Sequence, residues 1–517
     1  MSTPTTHLPA PDPLAFQAAA KPEKTAIIDL IGGRRVTYAD LDQSVNRCCA
    51  WLSSELGDVD GRRIAVLARN DMAIPILHLA AARLGAIFVP LNWRLTVPEL
   101  AFQVADADPA LLLVDAEFME TAERSVAGRD GTRVLDMEEA FEAWEDMAPV
   151  RPTVVMTADR ASTLLYTSGT SGRPKGALLT ESNLFFTNVN FSLMNHVNVN
   201  SVVLCDMPLF HVVGLVTMVR TPLVQGATLV LSRGFDPAVT LARLSDPDLG
   251  VTHYMCVPQM AQTLRQHPDY NAARLRRLVA LCTGGAPMPA ALIQRFSDDG
   301  ITIADGYGMS EAGTVLGMPI ASRGRIVVKA GSAGIPGPTL RLRLVDDDGH
   351  DVPDGAVGEI WINGPNLSPG YWNRPELPTL AQQGGWLRTG DAARRDADGF
   401  YYLVDRKKDM FISGGENVYP AEIEAAVLEL ESVAEAAVIG VPDARWGEVG
   451  WAYIVPRAGH AVTAEQVMAH LDGRCARYKR PQRVIITTTL PRTGSGKVQK
   501  HLLREQAADD MNPSNSA

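Results

Sequence analysis

The stretch Tyr166-Thr167-Ser168-Gly169-Thr170-Ser171-Gly172-Arg173-Pro174-Lys175-Gly176 decides how this chain is read. It follows the apolar pair Leu164-Leu165, which reads as the end of a strand, and gathers hydroxyls, glycines and a lysine in one loop. Glycine lets a backbone turn with positive φ and approach a ligand closely. Successive N–H groups and hydroxyls can then surround phosphate oxygens, with Lys175 adding a positive charge. Taken alone, such a stretch is equally an ordinary surface loop. It is not the phosphate loop in which Gly-Lys-Ser/Thr opens a helix, because Pro174 precedes Lys175 and Gly176 follows it. The similar stretch Gly494-Ser495-Gly496-Lys497 also fails, because Val498 stands where Ser or Thr is needed.

Outside that loop the composition is that of an ordinary soluble protein: 517 residues, 46% hydrophobic and 21% charged. A net charge of −11 argues against a nucleic-acid partner, whose binding rests on Lys and Arg at phosphates. It also disfavours docking on an anionic membrane. The six cysteines, Cys48, Cys49, Cys205, Cys256, Cys282 and Cys475, form no C-x-x-C pair, so reduced, mostly buried thiols in a cytoplasmic protein are expected. Met1 to Pro13 lacks the basic start and apolar core of a signal peptide. Ile74 to Leu91 is apolar, but Pro75, His78, Arg83 and Pro90 interrupt it. It reads as a buried helix leading into a strand, with no stable membrane insertion. The polar tail Ala507 to Ala517 is expected to be disordered.

Strand-like runs alternate with helix-length amphipathic segments. Residues 64–67, 86–90 and 111–115 read as strands, 72–84 and 97–105 as helices, and 227–231, 278–282 and 301–305 as further strands. Such alternation implies crossover units on parallel sheets. After Gly331 the strands 340–346, 358–363 and 400–403 lie between Gly, Pro and Asp turns, as in a mainly β subdomain. Beyond Asp405-Arg406-Lys407-Lys408-Asp409 comes a compact α+β unit with helices over 420–430 and 463–471 and strands over 433–441, 450–455 and 483–488.

Three further stretches offer chemistry. Asp305-Gly306-Tyr307-Gly308-Met309-Ser310-Glu311 follows a strand, where open α/β sheets bind ligands. Tyr307 offers a flat face for adenine, Ser310 a phosphate hydrogen bond, and Glu311 a hard oxygen ligand for Mg²⁺. Thr283-Gly284-Gly285-Ala286-Pro287 also follows a strand and leaves room against the backbone. Asp391, after Thr389-Gly390, can accept from ribose hydroxyls, and Arg406 can reach the same ribose or the phosphates. Pro491-Arg492-Thr493-Gly494-Ser495-Gly496 puts Lys497 on a loop able to enter and leave an active site. Each also has a bland reading: a strand-to-helix turn, a β-turn Asp, a surface salt bridge, a solvated lysine.

Together, and in this order, these stretches resemble the acyl-adenylate-forming superfamily from about Pro22 to Leu503. Pro208-Leu209-Phe210-His211 and Ser413-Gly414-Gly415-Glu416-Asn417 complete the series. The resemblance is strongest to bacterial acyl-CoA ligases of fatty-acid or feruloyl/aryl type. It implies an α/β fold with a large N-terminal domain of parallel-sheet layers plus a β subdomain, residues 1–405. A small mobile α+β domain over 406–507 and a tail over 508–517 would follow.

The resemblance further implies that Thr167, Ser168, Gly169, Thr170, Ser171, Gly172 and Lys175 hold the β- and γ-phosphates of ATP. Gly285, Ala286, Pro287, Asp305, Gly306 and Tyr307 would hold adenine, Ser310 phosphate, Asp391 and Arg406 ribose, and Glu311 with Thr167 the Mg²⁺ ion. Lys497 would be the adenylation lysine, with Glu311, Lys175 and His211 also catalytic, and Lys408 the hinge. His211, Val212, Val213, Gly284, Gly308, Met309 and Ala312 would surround the acyl group, and Ser413, Gly414, Gly415 and Glu416 a channel for coenzyme A. No Lys or Arg stands among the acyl positions, which favours an apolar fatty or aromatic carboxylic acid. Ser310 stands where the family more often has Thr, and the hydroxyl is kept. The sequence around Lys497 also resembles acetylated lysines of the family, implying a lysine acetyltransferase as a partner, and relatives are often homodimers. The alternatives are a stand-alone adenylating enzyme that loads a carrier protein, and a non-catalytic nucleotide-binding relative.

Overall fold

The computed structural model describes residues 8–511 apart from 154, 168–173, 287, 378, 379, 381, 382, 407, 408, 414, 415, 444, 445, 473, 476 and 493–495. Among these residues the strands form sheets of seven, nine, four and five members. In the first, Arg63–Leu67, Ile87–Pro90, Leu111–Val114 and Arg133–Asp136 run parallel. The continuous apolar sequence of the inner strands Ile87–Pro90 and Leu111–Val114 follows from burial on both faces, and all four residues of each are buried, whereas Arg133–Asp136 at the sheet edge is not. The second sheet is built on the parallel strands Thr25–Asp29, Thr228–Leu231, Val202–Cys205, His253–Cys256, Ala280–Thr283 and Ile303–Met309. The helix Ala73–Leu84 is buried along most of its length and shares one core cluster with residues of both sheets. The broken apolar run is thus an interior helix, and among the described residues no helix is long and apolar enough to cross a membrane. All six cysteines are free and buried.

Local signals set the helix ends. Thr37 with Asp40, Thr96 with Glu99, Thr180 with Asn183 and Thr463 with Gln466 form reciprocal capping boxes, each satisfying two backbone donors that a helix start leaves over.

The antiparallel sheet Arg341–Val345, Val357–Asn363, Leu387–Arg395, Tyr401–Arg406 corresponds to the expected β subdomain. The last sheet holds the long hairpin Val433–Asp443 with Gly447–Pro456, the parallel strand Arg483–Ile486 and the short pair Phe411–Ser413, Glu416–Val418.

Two expectations need correction. The tail expected to be disordered from Ala507 is helical as far as Met511, because the helix Lys500–Met511 includes its first residues and buries Leu503 and Ala507 on one face, while 512–517 lie outside the described residues. That two-residue apolar stripe is too sparse to show in a polar sequence. The strand expected to end at Asp305 runs on: Ile303–Met309 pairs in parallel with Ala280–Thr283 as far as Asp305, and antiparallel with Gly313–Gly317 from Gly306 to Met309. Gly308 permits this close approach, since a Cβ there would lie 2.3 Å from the Gly313 carbonyl oxygen.

Candidate active site

The opening loop is the connection of a hairpin. Ala161–Thr167 and Lys175–Thr180 pair antiparallel, and Thr167 lies opposite Lys175 as the last pair before the loop. The two residues chosen for phosphate and metal are thus neighbours at the loop's mouth, with the Thr167 hydroxyl 3.4 Å from the Lys175 carbonyl oxygen. Ser168, Gly169, Thr170, Ser171 and Gly172 lie outside the described residues, as do Pro287, Lys408, Gly414 and Gly415.

Gly370–Tyr371 adds an edge strand to this hairpin. Its position explains two contacts. The Lys175 ammonium stands 5.7 Å from the centre of the Tyr371 ring, and the Tyr371 hydroxyl donates to Glu311 Oε1 at 2.8 Å. Burial, then the charge of Glu311, push the Tyr371 phenol up, so it stays protonated and can only donate to the carboxylate. Glu311 is 8% exposed, and its carbonyl accepts from the Ser368 N–H. Lys175 and Glu311, far apart in sequence, are thereby bridged by one tyrosine. Ser310 beside Glu311 is half-buried.

The two adenine candidates form adjacent walls. Ala280–Thr283 and Ile303–Met309 are neighbouring parallel strands with Thr283 opposite Asp305. At the end of the first, Gly285 has φ of +83°, and Gly285 and Ala286 are exposed. Asp305 is buried and ties the walls together, accepting from the Thr283 hydroxyl at 2.8 Å and from the Gly306 and Met288 backbone N–H groups. Burial nevertheless pushes its carboxyl up to about 7. Asp305 therefore faces the protein framework.

Tyr307, farther along the strand, donates its hydroxyl to Asp391 Oδ2 at 2.6 Å. This joins the adenine wall to the β subdomain. Asp391 follows Gly390, with φ of +71°, and its N–H donates to the Thr389 hydroxyl. Arg406 is the backbone partner of Asp391 across the sheet, so the two ribose candidates do come together.

His211 lies at the entry to the helical segment Val213–Arg220, which has π-type hydrogen bonding, a conformation frequent at functional sites. Val212 and Val213 pack half-buried against the main core, Gly284 is buried beside the Gly306 carbonyl, and Met309 is half-buried. Gly308 is exposed. Ala312 instead sits fully buried in the core of the β subdomain with Val315, Leu316 and Ile360. Burial, then the charges of Lys497 and Arg94, push the His211 imidazole down to about 4, so it is neutral at neutral pH. The small unit thus brings Lys497 within electrostatic reach of His211. Lys497 is exposed and immediately precedes Val498, which bridges to Arg492 and closes the loop.

The sequence did not signal a further contact between the same units. With its amide oxygen turned toward Arg457, Gln262 accepts from the guanidinium at 3.0 and 3.2 Å. Arg457 is held in place by donating to the Glu431 and Val433 carbonyls. Next to the expected hinge, Asp409 pairs with Arg504 at 2.9 Å, fastening that residue to the small unit. Ser413 is buried and pairs with Gly447 and Glu416 in the small sheet.

A parallel α/β body, a hydroxyl- and glycine-rich hairpin loop, and a lysine presented by a separate C-terminal unit define an adenylate-forming enzyme. The chain belongs to the AMP-binding enzyme family, whose model matches residues 14–372, with the family's C-terminal domain matching residues 422–497. It is similar to a feruloyl-CoA synthase of an Amycolatopsis species, 40% identical over 95% of this chain and 97% of that one. An indoleacetate–CoA ligase of Aromatoleum aromaticum is 37% identical, over 95% and 96%. The o-succinylbenzoate CoA synthetase of Bacillus subtilis, solved with its acyl-adenylate intermediate, superposes with a TM-score of 0.85 at 31% identity, covering 98% of this chain and 99% of that one. The chain is an acid–thiol ligase of the AMP-forming, acyl-CoA synthetase type.

Proposed function

We propose that the enzyme converts an aromatic carboxylic acid, of arylpropenoic or arylacetic type, into its coenzyme A thioester in two steps. In the first, a carboxylate oxygen attacks the α-phosphorus of ATP. The bond to the β-phosphate oxygen breaks, and pyrophosphate leaves with the electron pair. In the second, a thiol sulfur attacks the acyl carbon and AMP departs.

The observation that supports the reading is that the small unit brings the Lys497 charge within electrostatic reach of His211. A cation delivered there offsets the repulsion between an incoming carboxylate and the α-phosphate. Lys175, at the mouth of the hairpin loop, would draw charge from the departing pyrophosphate. The paired Tyr307 and Asp391, with Arg406 opposite, suit a nucleoside. Neutral His211 with Val212 and Val213 suits an uncharged acyl group. Glu311 and the Thr167 hydroxyl, both oxygen donors near Lys175, fit Mg²⁺, which would neutralise phosphate charge when bound. The two relatives compared first above act on aromatic acids, which favours that class over fatty acids.

For the second step the small unit would turn about Lys408 and withdraw Lys497. Ser413 to Glu416 would then line the thiol's path. Lys497→Ala tests this directly. Adenylation, followed as pyrophosphate release, is expected to fall at least about a hundredfold, while conversion of preformed acyl-AMP by coenzyme A stays within about threefold. Equal loss in both half-reactions would contradict the role given to Lys497.

A further inference from the structure

Arg94 is a charged residue near His211 that neither half-reaction has yet used. It follows the strand Ile87–Pro90, and its guanidinium stands 4.7 Å from the centre of the Trp93 ring and 5.7 Å from that of Phe210. Phe210 in turn contacts the His211 ring at 4.5 Å between centroids. Arg94 and Lys497 are the two cations His211 feels, one from the large unit and one from the small.

The charges around Arg94 are otherwise matched. Arg69, also over Trp93, pairs with Glu117 at 2.7 Å, and Arg233 pairs with Asp115 and Glu117. No carboxylate faces the Arg94 guanidinium among the described residues; the groups it acts on electrostatically are the Arg69 cation and the neutral His211 ring. Aromatic faces hold a guanidinium without neutralising it. An exposed cation resting against two rings and facing no carboxylate, in a chain of net charge −11, is available to a substrate anion.

We infer that Arg94 is the cation that stays at the reacting centre when Lys497 withdraws, and that its charge stabilises the thiolate of the attacking thiol. The inference rests on the two-step reading above. The thiol gives its proton to solvent, the sulfur lone pair forms the C–S bond, and the acyl C–O bond breaks with its electrons remaining on AMP. No side chain needs to act as base, which agrees with a His211 too weakly basic to do so while Lys497 is present. A shift of one pKa unit, within what a nearby opposite charge gives, raises the thiolate fraction about tenfold at neutral pH.

The test uses the full chain, mixing preformed acyl-AMP with coenzyme A in a rapid-quench instrument from about pH 6 to about pH 10, on either side of an ordinary thiol pKa. Pyrophosphate release without coenzyme A is measured alongside. Arg94→Gln is expected to slow thioester formation about tenfold at pH 7, the deficit fading above about pH 9 where thiolate is abundant anyway. Pyrophosphate release should change less than about threefold, and Arg94→Lys, which keeps the charge, should recover most of the rate. A deficit equal at every pH, equal in both half-reactions, or unchanged in Arg94→Lys would overturn the inference, as would no deficit. A wild-type enzyme whose acyl-AMP ignores coenzyme A would contradict the functional reading itself, and the inference with it.

Discussion

Tyr307→Phe removes one hydroxyl and keeps the ring, which separates two parts of the proposed nucleotide site. The lost bond is the 2.6 Å donation to Asp391 across the boundary between the parallel sheet and the β subdomain. Hydrogen bonds to a charged acceptor are worth about 1.5–3 kcal/mol. Both residues are half-buried, so solvent replaces part of that and about 1–2 kcal/mol is the working figure. If the bond orients Asp391 for ribose, the dissociation constant of a non-hydrolysable ATP analogue should rise about five- to thirtyfold. Calorimetric titration would measure it, alongside the unfolding midpoint. Asp391→Ala should weaken binding at least as much, since it also loses the acceptors proposed for ribose. The double variant should fall short of the sum by about 1 kcal/mol, because each single change already breaks the shared bond. Strictly additive losses, or an unchanged affinity with a lowered unfolding midpoint, would show that the pair braces the fold and does not serve the nucleotide.

Asp305 gives a pH prediction. Its carboxyl is pushed from 3.8 up to about 7, so between those values the unfolded chain has released this proton while the native chain still holds it. Stability from this group is complete below about pH 4 and is lost as pH rises through about 7. Relative to Asp305→Asn, the wild-type unfolding midpoint should therefore fall across that window, and a difference flat with pH would mean that Asp305 ionises normally. Gln262→Leu removes the acceptor for Arg457. It should slow pyrophosphate release about three- to tenfold, as expected for about 1 kcal/mol lost from this arrangement of the two units, and leave the thioester half-reaction unchanged or faster. Slowing of the thioester step alone would contradict that assignment.

How much was legible in the sequence depended on where each residue's partners lie. Strands such as Ile87–Pro90 and Leu111–Val114 could be read because burial on both faces demands unbroken apolar residues. The second half of Ile303–Met309 could not, because glycine signals both a turn and the close approach of two strands. The adenine and ribose candidates stood out as local patterns, and the fold brings Tyr307 to Asp391 and Asp391 opposite Arg406. Tyr371, Gln262 and the ring partners of Arg94 carry no local pattern. Tyr371 reaches Glu311 only through an edge strand, Gln262 meets Arg457 only where two units touch, and Arg94 gains its place from rings on separate loops. Such residues acquire meaning from tertiary contact, which periodicity and motif spacing do not encode.

The central claim is an acid–thiol ligation through an acyl-adenylate, with an aromatic acid as substrate. The most direct measurement supplies Mg-ATP and a panel of benzoic, arylacetic, cinnamic and fatty acids, with and without coenzyme A, and identifies the products by mass. The account predicts AMP, pyrophosphate and an aryl-acyl thioester, formed only when coenzyme A is present and fastest with an arylacetic or cinnamic acid. Acyl-AMP that accumulates and ignores coenzyme A would contradict the thiol assignment, and preference for a long-chain fatty acid would contradict the acid class.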